Sequence, residues 1–125
     1  LCKLVYPLSM EAIHDIDAAV NGIVGVLNVH HALLVDQAIA LRANEQLWVG
    51  AGMTSLASWL RWRCGLAPAT ADAIVTIAER ADDLPESIAA FRRGERSLDQ
   101  MASIARSAPA WSDDTICLRS GCSAR

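Results

Sequence analysis

Apolar residues recur early in the chain as Ile13, Ile16, Val20, Ile23 and Leu27, with Leu34 and Leu41 in the same seven-residue frame. Steps of three and four keep such residues on one side of a helix and point that stripe at a partner for several turns. Ser9 is placed to cap the helix, and Glu11 in the first turn complements the positive end of its dipole. The spacing predicts one long helix over roughly residues 10–46. His30, Gln37 and Asn44 occupy alternate stripe positions. Gly22 and Gly25 each cost about 1 kcal/mol relative to alanine and leave room for a kink near residues 21–25, within what is still read as one long helix.

Gly50 and Gly52 break the pattern. Thr54 or Ser55 then caps a short helix with Leu56, Trp59, Leu60 and Cys64 on one side, ending at Gly65 in a left-handed cap. Pro68 suits the first position of the next helix, whose buried face is Ala71, Ile74, Val75 and Ala78, with Asp72, Thr76, Glu79 and Asp83 turned to water. Leu84, Ile88 and Phe91 form another stripe that stops at Gly94, with Arg92 and Arg93 in the last turn against the dipole. Ser97 with Gln100 makes a capping box for a fifth helix, whose inward face is Leu98, Met101, Ala102 and Ala105, and Pro109 ends it. From Thr115 to Arg125 no apolar face repeats, and a loose tail is expected. The predicted organisation is all-α: a leader or read-through segment over 1–9, a helical domain over 10–111 packed as helical hairpins on the long helix, and an irregular tail over 112–125.

Composition agrees with this picture. Hydrophobic residues make up 53% and charged residues 20% of 125, which excludes a disordered chain, and only 5% are aromatic, which favours helices over sheets. The net charge of −3 gives no overall positive field to draw the molecule onto nucleic acid. Residues 1–50 carry Lys3 and Arg42 against Glu11, Asp15, Asp17, Asp36 and Glu45, so anion contacts are expected only in the second half.

The run Ala18 to Val35 holds no formal charge over 18 residues, long enough to weigh as a membrane span. Asn21, Asn28, His30 and His31 interrupt it and no aromatic belt flanks it, so a buried helix of a soluble protein is expected. No secretory signal precedes the widely spaced Cys2, Cys64, Cys117 and Cys122, and reduced thiols in a cytoplasmic protein are expected. Cys117 and Cys122 would clip a metal only with two further ligands.

Two helices joined by Gly65-Leu66-Ala67-Pro68 invite a helix-turn-helix reading. Residues 68–79 lack arginine, lysine, asparagine and glutamine, the usual readers of base edges, and include Asp72 and Glu79, so a plain hairpin is expected. The candidates for nucleic-acid contact are Arg61, Trp62 and Arg63 with Arg92, Arg93 and Arg96. Five arginines would hold phosphate if folding gathered them, and Trp62 would stack on a base or cover a partner. The competing expectations are that the arginines pair with acids such as Glu95 and Asp99, and that Trp59 and Trp62 both pack in the core.

The ordered series Ser55-Leu-Ala-Ser-Trp59-Leu60, Gly65-Leu-Ala-Pro68-Ala-Thr-Ala71, Ala78-Glu-Arg80, Leu84-Pro85, Ala90-Phe91 and Gly94 resembles the 13E12 repeat family, whose N-terminal region is domain of unknown function 222. The resemblance spans about half the chain. It implies a helical domain from mobile-element-like loci, commonly linked to a C-terminal HNH nuclease domain. Family members commonly have serine where Ala67 stands, and continue with further helices beyond Trp111, so this chain resembles a truncated or frame-shifted copy.

An HNH centre needs metal-holding and water-activating histidines. His14, His30 and His31 all lie on the first helix, and adjacent His30 and His31 point about 100° apart. No nucleophile motif or phosphate loop is present. The expected function is therefore non-catalytic, with no cofactor, metal or small-molecule substrate. The module is expected to act through contacts with a second copy or with partner helices. An accessory DNA-binding role and a decayed fragment are the alternatives.

Overall fold

The computed structural model describes residues 9–119 and contains six α-helices and no strand among them. Residues 1–8 of the expected leader segment, Cys2 among them, and the last six residues of the expected tail, with Cys122, lie outside the described residues. Helix α1 runs unbroken from Met10 to Ala43, through Gly22 and Gly25, as the one long helix expected, and its end falls slightly early. Ser9 caps it by accepting from the Ala12 amide at 3.1 Å. Two short 3-10 turns follow, and Trp48 folds back to donate from Nε1 to the Leu41 carbonyl at 2.9 Å, which satisfies an acceptor at the end of α1.

Helix α2 (Leu56–Cys64) starts at Ser55, which accepts from the Ser58 amide, and ends at Gly65 with φ +67°. Helix α3 (Pro68–Arg80) has proline in its first turn and no side-chain cap at Ala67. It is the central element, packed against α1, α2 and α5. Ala71, Ala73, Ile74, Ile77 and Ala78 are all buried, a wider face than the sequence stripe. Helix α5 (Leu98–Ser107) carries the expected capping box between Ser97 and Gln100.

Helix α4 (Pro85–Arg92) ends in a Schellman arrangement: Gly94 N–H donates to Phe91 and Glu95 N–H to Ala90. Gly94 has φ +82°, and a Cβ there would meet the Gly25 carbonyl oxygen and Val29 Cγ2, each at 3.0 Å. Only glycine lets this turn close onto α1. Asn28 reinforces the contact by donating to the Gly94 carbonyl at 3.2 Å.

The expected tail is corrected by helix α6 (Asp113–Arg119), which packs against α4. The physical reason is a cap supplied from a distance. Leu84, at the N-cap of α4, has no acceptor in its side chain. Asp113 fills the place, accepting from the Glu86 amide at 2.6 Å and from the Ser87 amide at 3.0 Å. Arg80 does the converse at the end of α5, donating to the carbonyls of Ala105 at 2.7 Å and Ala108 at 2.6 Å. Asp113→Ala should lower the unfolding free energy by about 2–3 kcal/mol, because two shielded amides lose their acceptor. Asp113→Asn should lose less, and urea denaturation followed by circular dichroism will compare the two.

Candidate functional site

The two halves of α1 have opposite surroundings. From Asn28 onward the helix is fastened to the domain through buried Asn28, Ala32, Val35 and Ala38. Toward the N-terminus from Gly25 it leaves the core. Met10, Ile13, Ile16, Val20, Ile23, Val24, Val26 and Leu27 are all exposed, at 43–67% of their full surface. The stripe read from the sequence is thus real as a pattern but is not the buried face; Leu34 and Leu41 alone of its members pack against the core. The expectation of a buried helix over residues 18–35 is corrected accordingly. By length and composition α1 could cross a membrane, with a window of mean hydropathy 1.6 of which only 17% is buried.

A shallow apolar notch marks the place where α1 leaves the domain. Asn21, Gly22, Gly25, Val26, Val29, His30 and Arg93 line it. A Cβ at Gly22 would meet no atom within 4 Å, so the notch is open at that point.

The six residues proposed for nucleic-acid contact fall into separate groups. Arg92 pairs with Asp36 on α1 at 2.7 Å. Arg93 pairs with Glu95. Arg96 is buried, and desolvation pushes its guanidinium below the ordinary value, opposed by the charges of Glu95 and Asp113. Arg63 instead borders a groove with Leu34, Gln37 and Leu41 on the α2 side of α1. Asp36 and Gln37 are adjacent on a helix and diverge by about 100°, so Arg92 and Arg63 flank different sides of α1. The fold therefore does not gather the arginines onto one face.

Trp62 is 65% exposed between exposed Arg61 and Arg63, beside a groove formed with Ser58, Gly65, Leu66 and Pro68. This corrects the core placement expected for Trp62; Trp59 does pack against the core. Leu56 and Leu60 turn inward, and Trp62, two residues after Leu60, then falls on the outer side of α2. Cys64, expected on the inward side, is exposed at the last residue of the helix. Helix α3 packs against three helices, and the residues it leaves exposed include Asp72 and Glu79, acids that would face the phosphates of a DNA groove.

Among the described residues no group of three or more histidine, cysteine or acidic side chains could hold a metal. Cys117 is disulfide-bonded, so the reduced state expected from sequence does not hold for it. Residues that sequence reading missed are Trp48, Arg80 and Asp113, each of which satisfies backbone groups. The only signal for Asp113 was an acid shortly after the break at Pro109, which does not say whose amides it caps.

The family model described as Domain of unknown function (DUF222) matches residues 20–117. No curated protein and no solved structure matches the chain.

The division of α1 has a direct test at low protein concentration. Ile23→Ala should change the free energy of unfolding by less than about 0.5 kcal/mol, as for an ordinary surface position. Val35→Ala, twelve positions on in the same helix, should cost about 1–3 kcal/mol for the methyl groups and cavity lost. Parallel urea titrations will separate them.

Proposed function

The chain belongs to the domain of unknown function 222 family, and from that premise we propose that it is a non-catalytic helical module that works by protein contact through the exposed half of α1. The carrying observation is the stripe of Ile13, Ile16, Val20, Ile23 and Leu27, all exposed at alternating steps of three and four. Soluble domains rarely present so much contiguous apolar surface unless something covers it. Covering the exposed half of an aliphatic side chain is worth about 1 kcal/mol, so five of them supply a useful driving force even after the cost of association. The 3-4 spacing is that of a helix that meets another helix along a seam.

Membership in an HNH-linked, mobile-element-associated group belongs to the same proposal and rests on the Ser55 to Gly94 motif series. In that setting the module would contribute assembly, and the cutting chemistry would lie elsewhere.

A photo-reactive amino acid placed at Val24 in the full chain tests the contact in cells. Protein adducts, identified by mass spectrometry, are expected from Val24 and not from Asp72, an exposed position on α3. Lipid adducts alone, or equal labelling at both positions, would remove the proposal.

The exposed Arg61, Trp62 and Arg63 cluster favours a second reading, contact with single-stranded nucleic acid by stacking on Trp62. In that case binding at low salt should weaken as salt rises and fall about tenfold in Trp62→Ala. Fluorescence anisotropy with a labelled oligonucleotide measures both, and no binding at low salt ends the reading.

A further inference from the structure

Resting on the second reading above, contact with single-stranded nucleic acid at Trp62, we infer that the groove beside Trp62 holds one nucleotide unit. Its base stacks on the indole and its phosphate meets Arg61, while Arg63 takes no part. Ser58, Arg61, Trp62 and Gly65 follow one another at steps of three, one and three along the chain, which sets them on the face of α2 opposite buried Leu56 and Leu60. The turn into α3 then brings Leu66 and Pro68 to the same groove.

The lining residues suit different parts of a nucleotide. Trp62 offers an exposed indole, and one such face is all that a base needs to stack. Arg61 is exposed and makes no ion pair or hydrogen bond among the described residues, and no acid lines the groove with it. Its charge is thus available to an anion. Ser58 accepts from the Ser55 hydroxyl at 3.0 Å, which leaves its own proton to donate to an acceptor on the edge of the base. Arg63 is equally uncommitted and equally close to Trp62 along the chain, but it borders the other groove, against Leu34, Gln37 and Leu41 of α1. A phosphate beside the stacked base therefore meets one guanidinium and not two.

An acidic peptide shares the charge but fits the surface less well. Extended peptides add to a sheet edge or lie as polyproline helices along an aromatic-lined groove, and helical ones need a hydrophobic trough for anchors spread over several positions. The described residues include no strand, Trp62 is the one aromatic side chain in this groove, and Leu66 and Pro68 are its only aliphatic neighbours there. A base requires none of these.

Fluorescence anisotropy of the full chain with a labelled oligothymidine of about 12 nucleotides, titrated over a range of salt, tests the assignment. For the unmodified chain, log affinity against log salt should fall with a slope of about −0.7, as for one phosphate of a single strand. Arg61→Gln should flatten that slope and weaken binding several-fold, whereas Arg63→Gln should change neither. Trp62→Ala should weaken binding about tenfold and keep the slope, since the phosphate contact survives. Urea midpoints of all three variants should match that of the unmodified chain, because the three side chains are exposed. If Arg63→Gln flattens the slope, or Arg61→Gln leaves it intact, the assignment fails while contact at Trp62 stands. Absence of binding at low salt, or displacement of the strand by an oligoglutamate peptide as readily as by unlabelled oligothymidine, would remove the assignment and the second reading together.

Discussion

A single continuous helix is held at one end and released at the other, and this constraint governs the molecule. The backbone hydrogen bonds of α1 run through Gly22 and Gly25 without a break, so its direction is set where Asn28, Ala32, Val35 and Ala38 are gripped. The part of α1 N-terminal to Gly25, where the Gly94 turn meets it, must follow that line away from the core. A kink at the glycines would have let Ile13, Ile16 and Val20 fold back onto the domain. Their exposure follows from the direction this continuous helix takes beyond its grip.

The domain that grips α1 is small, and its short helices cannot satisfy their own ends. Helix α4 begins after Leu84, which offers no acceptor, and α5 ends in carbonyls without a local donor. Asp113 and Arg80 supply the missing partners from other elements. Each charge is stabilised by the helix terminus it meets, acid at an N-terminus and base at a C-terminus. These bonds tie α6 to α4 and α3 to α5, so the segment Asp113–Arg119 is part of the folded unit.

The same economy decides the fate of the arginines. Arg80, Arg92, Arg93 and Arg96 are drawn into caps, ion pairs or burial, and these uses hold helices together. Arg61 and Arg63 remain on the surface with Trp62 between them. Surface for contact is therefore of two kinds: a long apolar rod at one end of the molecule, and a small cationic aromatic cluster at the end of α2.

Helices were legible because their determinants are local. Ser9, Ser55 and Ser97 as caps, Gly65 and Gly94 as left-handed stops, Pro68 and Pro85 as first-turn residues, and the 3.6-residue periodicity all act within a few positions. The stripe of α1 was equally visible, but periodicity records only that a face is apolar, never whether the protein's own core or something else covers it. That depends on how far α1 reaches past the elements packed on it, which the close approach of Gly94 to Gly25 determines. Asp113 escaped notice for a related reason: a carboxylate caps whichever amides folding brings to it, and these lie 26 and 27 residues back along the chain. Local backbone chemistry was thus written in the order of residues, while burial, the pairing of charges and the freedom of the α1 arm arose only once distant segments met.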